Sequence, residues 1–303
     1  MPRKISITIK KARPEEKYIT GQTKDFAVAL VSRFRPAFEK TALHIKEMLP
    51  TKKALGSNGI PSFEDIQSLQ SFCASIVAPD GIEAVKQYIP KGFAFGVGQF
   101  SGGLDSYMEG EVVSGFDVAS LLKEPRILDA AAMQYAQSSS YLATVKKDSN
   151  EISSFLEQLL IGLQDGENPV TIARRTADKL EQNPSQWVTL ARSEMADALA
   201  QGSMDEARRL GADYVFVPSH PDASEACQRL IEGRLFGRDW LQGQSNVGKK
   251  SKDWGAALPC HPNCRHHLLP ASRSLLAMVR KQIGSDTIPV TGIKVDYKPP
   301  SQR

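Results

Sequence analysis

Apolar residues recur at helical spacing from Phe26 to Leu49, at Val28, Val31, Phe34, Phe38, Leu43, Ile45 and Met48. Pro36 predicts a kink or a split in that helix, because proline lacks the N–H that an interior turn needs. A turn-rich run, Leu55-Gly-Ser-Asn-Gly-Ile-Pro, follows. Ser62 with Asp65 then marks a helix start ahead of Ile66, Leu69, Phe72, Cys73 and Ile76. Residues 90–118 are rich in glycine and read as a loop or wall. They lack the Gly-Lys-Ser/Thr ending of a phosphate loop, and Gly96-Val-Gly98 lacks a third glycine in register for a dinucleotide fingerprint.

Residues 124–208 are strongly helical. One helix is predicted from Asp129 to Val145, and a second to Leu163 with Asn150 as N-cap and a stripe of Ile152, Phe155, Leu156, Leu159 and Leu160. Gly166 ends it. Pro169–Leu180 and Pro184–Leu210 are two further helices, each with proline near its start and the last closed by Gly211. Beyond Gly211 the pattern changes. Tyr214-Val-Phe-Val217 reads as a strand ended by Pro218, Ser272–Ile283 as a short helix and Ile288–Val295 as a last strand. The class is therefore α+β and mainly helical, with a helical N-terminal part and a small mixed C-terminal lobe. The predicted organisation is a polar arm (1–24), a helical region (25–149), a C-terminal domain (150–296) and a polar tail (297–303). Ile5, Ile7 and Ile9 alternate within the arm, as in a short strand.

Hydrophobic residues make up 41% of the 303 positions and charged residues 24%, enough apolar material for a sizeable core. The net charge of +4 permits contact with nucleic acid without requiring it. Much of the excess sits in the arm and at Lys249, Lys250 and Lys252, which are candidate DNA contacts or simply solvated chain. No apolar run is long enough to span a membrane, and no apolar segment follows the N-terminal charges as in a secretion signal. Four cysteines do not make a disulfide scaffold, so a reducing compartment is expected.

Three of the four cysteines and four of the five histidines fall between His220 and His267, densest at Cys260-His-Pro-Asn-Cys264-Arg-His266-His267. Zinc favours thiolate sulfur and imidazole nitrogen in a tetrahedron. Cys264 and His266 can serve one ion from a tight turn, Cys260 or His261 can approach across Pro262-Asn263, and Cys227 can complete the set. Three readings stand at this point: a structural zinc site, a packed turn with buried thiols, and a catalytic metal with Asp222, Glu225, Glu232 or Asp253 as base. Cys73, on an apolar helix face, reads as core.

Three blocks of the C-terminal half resemble the phage Mu F-like family of minor head proteins. Leu190-Ala-Arg-Ser-Glu194 is similar to the family's Ala-Arg-Thr-Glu. Asp222-Ala-Ser-Glu-Ala-Cys227 followed by Gly233-Arg-Leu-Phe236 is similar to its Asp, paired cysteines and Gly-Lys-x-Phe. Leu258-Pro-Cys-His-Pro-Asn-Cys264-Arg-His266 is similar to its Pro-Pro-x-His-Pro-Asn-Cys-Arg-Cys. The blocks span roughly residues 150–270. The cysteine pair is reduced to Cys227, with its partner position near Ser224; the final cysteine is His266, and Cys260 stands at the variable position.

The resemblance marks Arg192, Glu194, Asp222, Gly233, Pro262, Asn263 and Arg265 as motif residues, and implies that Arg192 and Glu194 tie their helix to the metal-bearing lobe. It implies a non-enzymatic minor capsid protein of a tailed bacteriophage. Such a protein is made in the host cytoplasm and built into the virion inside the head. It sits near the portal, among portal, scaffold and capsid proteins, and acts in assembly and in DNA packaging and ejection. The rival classes are a metal-dependent nuclease, for which His220-Pro-Asp222 is the nearest motif, and a non-catalytic DNA-binding protein of the head.

Overall fold

The computed structural model describes residues 17–48, 63–109, 117–137, 139–220, 223–246, 249–261, 264 and 266–295. The arm with its isoleucines, the turn-rich run at 55–61 and the tail at 297–303 lie outside the described residues. The described chain is mainly helical, with one small antiparallel sheet near its C-terminal end.

The helices run α1 (Lys17–Ser32), α2 (Phe34–Met48), α3 (Phe63–Glu109), α4 (Val118–Leu121), α5 (Pro125–Gln137), α6 (Ser139–Gln164), α7 (Pro169–Gln182) and α8 (Ser185–Arg209). After them come β1 (Tyr214–Val217), α9 (Glu225–Leu230), β2 (Arg234–Gly237), α10 (Arg238–Gln242), β3 (Leu269–Pro270), α11 (Arg273–Ile283) and β4 (Ile293–Lys294). The split expected at Pro36 falls at Arg33, so Pro36 lands in the first turn of α2, where no N–H partner is lost.

Two expectations are corrected. Residues 90–109 are not a loop but the second part of α3. Phe93, Ala94, Val97 and Phe100 keep helical spacing through the glycines, and all four are buried. Asn150 is not an N-cap but lies inside α6, and the helix expected from Asp129 to Val145 is divided between α5, which ends at Gln137, and α6, which begins at Ser139. Two later helices carry side-chain caps. The Asn168 side chain accepts from the Val170 N–H at the start of α7, and Ser272 caps α11 by accepting from the Leu275 N–H. The strand expected over Ile288–Val295 is confined to β4, although Ile288 and Val295 are both buried.

The chain forms two compact units. The first takes Lys24–Gln87 and Gln137–Leu190. Its core stacks Phe38 on Phe155 with ring centroids 4.1 Å apart, and Phe34 packs at a tilt against Trp187. Arg35 bridges α2 to α7 by donating to Asp178 and Glu181. Arg33 makes a buried ion pair with Asp148. Cys73 is fully buried, and burial pushes its thiol up to about 11, as a core cysteine should be.

The second unit takes Tyr88–Ala136 and Ala191–Arg303, with Lys11–Thr23. Gly96 and Gly202 let α3 and α8 touch backbone to backbone. A Cβ on Gly202 would lie 2.1 Å from the Phe93 carbonyl oxygen, and one on Gly96 2.1 Å from that of Leu199. The sheet has the order β3-β1-β2-β4, with Val215 opposite Phe236 and Phe216 opposite Leu235. Alternation along the strands divides the core. Val215, Val217 and Phe236 face one apolar cluster with Phe100, Met204 and Ala207, whereas Phe216 and Leu235 face another with Leu275 and Val279. The cysteines lie in the first of these clusters.

Candidate metal centre

Cys227, Cys260 and Cys264 are all buried in the cluster that α8 and the sheet enclose. Cys227 is placed by α9, whose N-cap Ser224 accepts from the Cys227 N–H at 3.2 Å. The second segment enters through a cis peptide at Leu258–Pro259. Its turn is closed by the Cys264 N–H donating to the His261 carbonyl at 3.0 Å. One ligand atom each from Cys227, His261 and Cys264 lie within 4.8 Å of one another, so this group can hold a metal ion.

The separation of the two sulfurs fits one edge of a tetrahedral site for a thiophilic ion. Bonds of about 2.3 Å to sulfur and 2.0 Å to nitrogen set tetrahedral edges of about 3.8 Å between sulfurs and about 3.5 Å between sulfur and nitrogen. The Sγ atoms of Cys227 and Cys264 are 3.9 Å apart. Ser224 Oγ lies 2.8 Å from His261 Nε2. Second-sphere bonds of this kind fix the tautomer of metal-bound imidazoles.

The thiols respond to one another. The neighbouring Cys260 thiol, with burial, pushes Cys227 up to about 11, and Cys227 with burial pushes Cys264 up to about 12. The same contact with Cys227 lowers Cys260. The protein alone therefore holds most of this sulfur as thiol. A bound dication favours thiolate and releases those protons.

His266 sets Nδ1 3.8 Å from Cys264 Sγ, and its ring lies 5.8 Å from that of His220. It is buried, and its Nε2 has no hydrogen-bond partner among the described residues. The His220 N–H donates to Glu232 at 2.9 Å. Of the motif residues, Gly233 takes a φ of +65° at the head of β2, where it donates to the Val217 carbonyl and accepts from Val295. Asp222, Pro262, Asn263 and Arg265 lie outside the described residues. Arg192 and Glu194 sit on α8, and Met204 and Ala207 on the same helix share the cysteine core. Those residues begin about 15 Å further along the axis than Glu194, at 1.5 Å per residue.

Three supporting residues were not singled out from sequence for these roles. Ser224 couples the α9 cap to His261. The Asn246 amide donates to the carbonyls of Gly255 and Cys260, both at 2.9 Å, and closes the basic loop onto the centre. Trp254 stacks on His261 with centroids 5.9 Å apart. Lys249, Lys250 and Lys252 lie exposed on that loop. Only Ser224 left a signal, as a capping residue three positions before Cys227. No known protein family, characterised protein or solved structure matches the chain.

Proposed function

We propose that the chain is a non-catalytic minor head protein of the phage Mu F-like kind, whose C-terminal lobe is pinned by a structural zinc ion. The observation that carries the metal part is the convergence of Cys227, His261 and Cys264 within 4.8 Å. Two of the three sequence blocks behind the resemblance supply these residues, from segments far apart in the chain. The sulfurs of Cys227 and Cys264 are 1% and 4% exposed by residue, which suits a closed structural site better than the open position of a catalytic ion. Sulfur and nitrogen donors together favour zinc over hard cations that take oxygen.

In this reading the zinc locks α9 to the 258–268 segment and so holds the sheet against α8. The lobe then offers a stable surface for assembly at the portal vertex, inside the head. Co-expression with the portal protein of the same virus tests the placement. The two should co-purify, and the chain should be present in purified virions. Failure on both counts, or metal-dependent cleavage of DNA that His261→Ala abolishes, would favour the nuclease reading instead.

A further inference from the structure

Ser224 stands between two of the three converging ligand residues. Its side chain accepts from the Cys227 N–H at 3.2 Å as the N-cap of α9, and the same oxygen lies 2.8 Å from His261 Nε2. We propose that Ser224 is a positioning residue of the metal centre: its oxygen accepts the Nε2–H of His261, so that the imidazole meets the ion through Nδ1. This rests on the structural-zinc reading above and names the residue that orients one ligand within it.

A serine hydroxyl has one proton to donate and two lone pairs to accept with. One lone pair takes the Cys227 N–H. The contact with His261 Nε2 can then run in either of two directions. If the hydroxyl donates, Nε2 is spent as an acceptor, and a neutral ring carries its proton on Nδ1. Neither nitrogen then offers a lone pair to a metal. If Nε2–H donates instead, it fills the second lone pair of the serine, and Nδ1 keeps a lone pair for the ion. Only this second direction keeps the observed contact and a ligand nitrogen together. The hydrogen bond made by one ring nitrogen sets which nitrogen a metal takes.

The surroundings suit the role. Ser224 is extended, at φ −67° and ψ 156°, and the cap bond to Cys227 fixes its oxygen independently of the ring it receives. Trp254 stacks on the imidazole at an interplanar angle of 21°. One hydroxyl thus ties the ligand on α9 to the ligand on the segment after Leu258.

Long-range nitrogen–proton NMR correlation on the zinc-loaded full chain reads the tautomer directly. His261 should show a protonated Nε2 and a metal-bound Nδ1. A metal-bound Nε2, or a proton on Nδ1, would overturn the assignment without any variant having to fold. Zinc affinity, measured by chelator competition, separates orientation from capping. Threonine and glycine serve about equally well as N-caps, but only threonine keeps the oxygen. Ser224→Gly should therefore bind zinc about 10- to 100-fold more weakly, the usual effect of losing an outer-sphere partner, while Ser224→Thr stays near wild type. Equal affinities for the two variants would make Ser224 a cap alone and overturn the proposal. A chain that takes up no zinc would overturn the structural-zinc reading itself, and this assignment with it.

Discussion

Single side chains set the two chemically notable centres of the second unit. One is the Cys/His group; the other is Glu206, buried at 1% exposure on α8. Its carboxylate accepts from Ser101 and from Arg126 and Arg209. Burial raises its pKa, but the bonds from Arg209 and Ser101 outweigh burial and hold it below its ordinary 4.5. A carboxyl lowered on folding contributes stability above its unfolded pKa and loses it as pH falls through the folded value. Denaturant titrations should therefore show stability falling on acidification below about 4.5, with a flatter fall in Glu206→Gln. Identical acid profiles would remove Glu206 from the account. The Cys/His group was legible in the sequence because ligand types crowd together there. Its outer shell was not, because Asn246 and Trp254 are ordinary loop residues until the chain brings them to Cys260 and His261.

Elements were legible where periodicity and caps agreed. α7, α8, β1 and α11 fall where proline, glycine and serine punctuate the pattern. The glycine-rich half of α3 reads as a loop in the sequence because glycine is a loop former, whereas here it permits a close helix crossing. That difference is testable. Gly202→Ala should destabilise by roughly 1–3 kcal/mol through overpacking on Phe93, despite alanine's higher helix propensity. Gly21→Ala, in α1 with nothing within 4 Å, should be neutral or stabilising by up to about 1 kcal/mol. Equal effects at both sites in thermal or urea unfolding would contradict the crossing. The basic loop is a second case. We propose that Lys249, Lys250 and Lys252, all exposed, make weak, sequence-independent contacts to DNA phosphates. Neutralising all three should reduce the slope of log affinity against log salt by about 2.7, at about 0.9 per phosphate contact. An unchanged slope would place any contact elsewhere.

Across the whole molecule, the fold class was legible and the role was carried by resemblance. A mainly helical chain ending in a small mixed lobe follows from the change of pattern after Gly211. The compact units were harder to foresee, since each gathers segments distant in sequence and α3 and α8 each contribute to both. No local signal reports which distant segments share a core. Among the described residues no helix is long and apolar enough to cross a membrane. What unites the proposed function with the structure is the ion proposed to tie α9 to the segment after Leu258. Elemental analysis of the full chain, purified without chelator, tests it most directly. The account predicts about one zinc per chain; protein that is folded and free of metal would contradict it.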